Sequence, residues 1–200
     1  MSPSHPDLFE MRRLESLSNT IFGVAMTLLA YDLPKTGTFA SLPNWADLYR
    51  LYAGKLSALV LSFVIAGLFW FSHHRRLARQ PEAGRGTVIL NLLFLLSIIL
   101  LPVTNGLYSN YRLSSAVAVL YGIHLTTIAA LNALLWWLTR KNSWHEVVGA
   151  IFPVLVFVPG TLFAAFFPQY VQYFWGLAFL ALVVRRFAAR RVGEDATQGS

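Results

Sequence analysis

Long apolar runs alternate with short polar breaks along almost the whole chain. Six runs come close to the roughly 20 residues that a helix needs to cross a bilayer: Leu14 to Leu33, Leu51 to Phe71, Val88 to Leu107, Ser114 to Leu138, Val147 to Phe167, and Tyr170 to about Ala189. No break is long enough for a soluble domain. The pattern predicts an all-α integral membrane protein, with one six-helix domain over residues 1–191 and a polar tail over 192–200. The first run is too long for the apolar part of a signal peptide and no small-residue cleavage site follows it, so it reads as a helix.

That first run is unusually mixed. Ser16, Ser18, Asn19, Thr20 and Thr27 interrupt it, and Glu15 and Asp32 bracket it. Projected at 100° per residue, Thr20, Val24, Thr27, Leu28 and Tyr31 fall in a stripe about 100° wide. In lipid, hydroxyls bond back to a carbonyl or across to another helix, so one reading is a helix-packing face, which Gly23 and Ala25 would suit. The other is the wall of a water-filled path, with Val24 and Leu28 as a constriction and Thr27 offering oxygens to an ion. Periodicity alone leaves both open.

Composition agrees with a membrane protein: 56% of the 200 residues are hydrophobic and 12% charged, against about 25% charged in soluble domains. Twelve of the sixteen basic residues fall in segments that are cytoplasmic if both termini are, which is the orientation that basic loops select. The net charge of +7 and the clusters "HHRRLAR" and "RRFAARR" then read as topology signals and anionic-lipid contacts, with no nucleic-acid partner.

Chemistry is thinly represented. Cysteine is absent, which excludes disulfides and thiol catalysis. The acids nearest the spans, Glu15, Asp32, Asp47 and Glu146, all sit at predicted membrane boundaries, and no phosphate-binding glycine loop occurs. His124, within the fourth span, reads as a hydrogen-bonding residue, and a metal site shared with His74 is the weaker alternative. The expectation is a protein that is not an enzyme and holds no cofactor or metal. In the second half, Pro153, Pro159 and Gly160 predict a kinked fifth helix, and Trp136 and Trp137 an aromatic belt at the interface.

The stretch "RLESLSNTIFGVAMTLLAYDLP" resembles the first-helix signature of the transmembrane protein 175 potassium-channel family, in which an arginine precedes a Phe-Ser-Asp triplet and then a Thr-Leu-Leu step. Arg13 takes the arginine position, and Thr27, Leu28 and Leu29 take the step. "FWFSHHRRLAR" resembles the end of the family's second span, matched by Trp70 and His74. "LNLLFLLSIILLPVTNGL" resembles its third, with Asn91 and Pro102 in place. The specific match covers the first half of the chain. It departs in the triplet, which here is Leu17, Ser18 and Asn19, so the aspartate's charge is lost while hydrogen bonding is kept.

The resemblance implies a homotetramer of single-repeat chains whose first helices surround a central pore. It implies a potassium-preferring cation channel, with membrane lipids and monovalent cations as the other partners. Val24 becomes the narrowest hydrophobic ring, with Leu28 and Tyr31 above it, Thr27 the selectivity ring and Thr20 a further lining residue. Arg13, Ser18, Asn19, Trp70 and His74 are expected to form a structural tether at the cytoplasmic end. Protonation of His74 beside Arg13 would loosen that tether. Asp32, at the outer mouth, either concentrates cations or pairs with Lys35. The alternatives are a carrier for protons or small cations, and a non-conducting scaffold in which the stripe is a packing face.

Overall fold

The computed structural model describes residues 8–35, 38–39, 41–78, 82–138 and 144–176. Five helices account for most of them: α1 Met11–Leu28, α2 Trp45–Leu77, α3 Arg85–Asn110, α4 Ser115–Trp137 and α5 Trp144–Phe166. A 3-10 turn, Leu29–Asp32, continues α1. Residues 171–176 are helical and begin the predicted sixth span. The rest of that span and the polar tail lie outside the described residues.

Two of the helices begin at side chains that cap their first turn. Asn44 caps α2: its side chain accepts from Asp47 N at 3.0 Å while the Asp47 carboxylate accepts from Asn44 N at 3.1 Å. This reciprocal pair satisfies two amides that would otherwise lack partners. Ser114 caps α4 through its hydroxyl. With 33 residues, α2 starts six residues before the predicted span and ends six after it. The added residues are largely polar or aromatic, so the hydropathy pattern does not reach them.

Among the described residues, four helices are long and apolar enough to cross a membrane: α2, α3, α4 and the Gly149–Phe166 part of α5. The first helix is not among them, because Arg12, Arg13, Glu15 and five serine, threonine and asparagine residues dilute its 18 residues. At its start, Leu8–Glu10 pairs antiparallel with Glu82–Gly84 just before α3. These two three-residue strands are a small departure from the all-helical expectation.

The core lies where α3 meets its neighbours. Phe22 of α1, Ile65 and Phe69 of α2, Phe94 and Ile98 of α3, Leu125 of α4 and Phe157 of α5 form one buried cluster. Polar side chains tie the helices across it. Ser62 on α2 donates to Asn105 Oδ1 on α3 at 2.6 Å, and its oxygen lies 2.6 Å from the Tyr121 hydroxyl on α4. Trp136 departs from the aromatic-belt expectation: it is buried and donates to Ser72 at 2.9 Å, while Trp137 is exposed. Helix α5 runs on through Pro153 and Pro159. Beyond it, Trp175 presses against Gly160, where a Cβ would collide with the indole.

Candidate ion pathway on the first helix

Helix α1 has two unlike faces. Leu14, Ser18, Phe22, Ala25 and, in the 3-10 turn, Leu29 are buried, a spacing of three and four that keeps one side of a helix against its neighbours. That side packs on α2 and α3. The opposite side carries the stripe. Val24 is 53% exposed, Leu28 47% and Tyr31 66%, with Thr20 and Thr27 exposed beside them. Among the described residues, then, nothing packs over the stripe. Ala25 packs, whereas a Cβ on Gly23 would meet no other group within 4 Å.

The threonines are bonded in a particular sense. Thr27 Oγ1 donates to Val24 O at 2.7 Å, and Thr20 Oγ1 to Ser16 O at 3.0 Å. Each hydroxyl has one proton and two acceptor lone pairs. With the proton spent on the helix backbone, what Thr27 presents outward is an acceptor, the polarity that a cation requires.

The expected tether at the Arg13 end separates into two layers. In the outer layer, Trp70 Nε1 donates to Asn19 Oδ1 at 2.9 Å, and Trp70 stacks on His74 with ring centroids 5.7 Å apart. His74 Nδ1 lies 3.2 Å from Glu15 Oε1, near enough for an ion pair though not aligned as a hydrogen bond. The Glu15 carboxylate thus faces the His74 ring across the start of the first helix. Arg13 is exposed at the start of the helix.

The inner layer is buried and largely unforeseen. Ser18 donates to Leu14 O at 2.6 Å, so the 3.0 Å contact between His73 Nε2 and Ser18 Oγ has the histidine as donor. His73 Nδ1 is then the acceptor for Arg76 Nη2 at 3.2 Å, and the same Nη2 donates to Asn91 Oδ1 at 2.9 Å. Ser18, His73, Arg76 and Asn91 are all buried. Arg76, read from the sequence as a lipid or topology cation, is instead a core residue. Its Nε and Nη1 have no hydrogen-bond partner among the described residues, and no carboxylate there lies within ion-pair distance. A signal for this existed in the pattern. The buried face of α2 runs through Leu61, Ile65 and Phe69, and further helical steps of four and then three reach 73 and 76.

At the other end, the Asp32 carboxylate rests on Gly106, where a Cβ would fall on its oxygen. Lys35 does not pair with it; its ammonium sits 4.0 Å from the centroid of the Tyr31 ring. Lys55 Nζ donates to Asp32 O at 3.3 Å and to Asn110 Oδ1 at 2.8 Å, joining α2 to the 3-10 turn and to α3. Away from this helix, His124 lies 2.7 Å from Thr104 Oγ1 and 3.0 Å from Ser97 O, so both ring nitrogens are engaged with α3.

Comparison with known proteins places the arrangement. Residues 13–102 match the sequence model of the family described as the endosomal/lysosomal potassium channel TMEM175. A potassium channel of Streptomyces collinus is 30% identical over 140 residues, covering 66% of each chain, so this chain spans about two thirds of that relative's length. A potassium channel of Chamaesiphon minutus is 25% identical over 200 residues, covering 92% of this chain and 97% of the other. The crystal structure of a lysosomal potassium-selective channel TMEM175 homolog from Chamaesiphon minutus superposes with a TM-score of 0.73 at 20% identity, over 86% of this chain and 96% of that one. The shared fold and the apolar helices identify a multi-pass integral membrane protein, and the chain belongs to the TMEM175 family.

Proposed function

We propose that this protein is a potassium-preferring cation channel and not an enzyme, assembled from four copies whose α1 stripes surround a common axis. Six spans with both termini cytoplasmic complete the proposed topology. The observation that carries the reading is the exposed face of α1: apolar Val24, Leu28 and Tyr31 interleaved with hydroxyls, on a helix whose other face is fully packed. Potassium-channel relatives from two bacteria support the same reading.

In a fourfold arrangement each stripe residue becomes a ring. Rings of Val24 and Leu28, with Tyr31 beyond them, would exclude hydrated ions by dewetting and so act as a gate. Four Thr27 hydroxyls, each with its proton turned back to Val24 O, would present only acceptors to the axis. They replace part of a cation's hydration shell. One layer of hydroxyls offers few ligands, so the preference for potassium over sodium is modest. The two layers at the Arg13 end hold α1 against α2 and α3 and keep the stripe turned toward the axis. No cofactor is called for; the permeant ion is the only small ligand.

The test is potassium and sodium flux into liposomes containing the purified protein, with Val24→Ala beside the parent. Potassium-favouring flux that rises in the variant supports the channel. A stable oligomer with no flux from either protein would make the stripe a packing surface between copies.

A further inference from the structure

Six charged side chains stand at the Asp32 end of the molecule, and their balance is opposite to what a cation path invites. Asp32 and Asp47 are the acids there; Lys35, Arg50, Lys55 and Arg112 are the bases. The net charge is +2 per chain. Asp47 is committed to capping α2, and Arg50 is exposed one turn further along that helix. The Arg112 guanidinium lies over Gly54, next to Lys55. Lys35 sits on the Tyr31 ring. Lys55 is the most closely held: its ammonium is bound by a backbone oxygen of the turn that ends the pore helix and by the Asn110 carboxamide. A cation is thus fixed beside the mouth of the proposed path.

Resting on the channel reading above, we infer that Lys55, with Lys35, acts as a tethered charge that screens the pore mouth against divalent cations and sets a monovalent-over-divalent preference separate from the Thr27 ring. The physics is a matter of exponents. A positive potential at the mouth lowers the local concentration of a monovalent cation by some factor, and that of a divalent cation by the square of it. One unit charge about 10 Å from the entering ion, in water, gives roughly a twofold effect on a monovalent and about fourfold on a divalent cation. The effect depends on screening, because the Debye length falls from about 30 Å at 0.01 M salt to about 3 Å at 1 M. A tie that matters only for packing would show neither dependence.

The experiment measures potassium and barium uptake into liposomes containing the full-length protein, at about 0.01 M and about 1 M ionic strength adjusted with N-methylglucamine chloride. The parent is compared with Lys55→Met, Lys55→Arg and Lys35→Met. Because each of the four copies loses one charge, the expected result at low salt is a potassium flux raised about tenfold in Lys55→Met and a barium flux raised by about the square of that factor. Lys55→Arg should match the parent, and the differences should vanish at high salt. Should Lys55→Met fail to fold, Lys35→Met carries the same test, since among the described residues its ammonium contacts only the exposed Tyr31 ring. Equal factors for the two ions, an effect that persists at high salt, or barium still excluded from every variant would overturn the inference while leaving the channel intact. A parent that passes neither ion under any condition removes the channel reading, and this inference with it.

Discussion

The indole of Trp70 on α2 donates to the Asn19 carboxamide on α1 across 2.9 Å, bridging the two helices on the side of α1 next to the exposed stripe. The family signature has an aspartate where this chain has Asn19, and the bond shows what survives the change: an acceptor oxygen facing the indole, without the charge. Trp70→Phe keeps the stacking surface over His74 and removes the donor. The expected cost is about 0.5–1 kcal/mol, the worth of one part-solvated hydrogen bond. Thermal unfolding of the purified protein in detergent measures it, and Asn19→Leu on top of Trp70→Phe should add little.

The buried contact between Arg76 and Asn91 is expected to be costlier to break. Asn91→Leu leaves a buried guanidinium short of an acceptor and should destabilise by about 1.5–3 kcal/mol. Arg76→Met removes the charge itself, and the double variant should recover much of the loss, because removing both members of a buried polar pair costs less than removing one. A double-mutant cycle read from denaturation midpoints gives the coupling; additive losses would mean that the 2.9 Å contact contributes little.

Thr27→Val keeps the volume of the side chain and deletes its oxygen. Since that oxygen already bonds to Val24 O, the helix loses little. Flux should persist while the ratio of potassium to sodium uptake falls toward the ratio of the ions' mobilities. An unchanged ratio would move selection elsewhere on the path.

Gly106→Ala places a methyl on the Asp32 carboxylate. Overpacking of this kind costs roughly 1–3 kcal/mol, and the turn Leu29–Asp32 should shift away from α3. Shortening the obstructing side chain should relieve it, so Gly106→Ala with Asp32→Ala should unfold at a higher temperature than Gly106→Ala alone. Equal midpoints would show that the turn yields without strain.

The legible parts of this protein were those set by hydropathy and helical period. Apolar runs located the centres of α2, α3, α4 and α5, and the polar positions of the first run marked the stripe that α1 leaves exposed. Ends were less legible. Nothing in the Leu8–Glu10 stretch alternates over enough residues to announce a strand. The run "HHRR" hides its two inward members, because a block of polar residues has no period of its own. His73 and Arg76 become readable only when the apolar face of α2 is carried past Phe69. The Lys55 tie to Asp32 O and Asn110 joins three elements, and no local pattern predicts a contact of that range.

The turn Leu29–Asp32 winds as a 3-10 helix, and this fixes where Tyr31 points. In an α-helix a residue three positions on lies about 60° off its predecessor, whereas in a 3-10 helix the two eclipse. Tyr31 therefore stands nearly in line with Leu28 along the axis. Rewinding the turn to α would swing the ring aside by about 60° and draw it back by about 0.5 Å per residue. One turn's hydrogen-bond register thus works as a rotary setting for an aromatic ring at the end of the stripe.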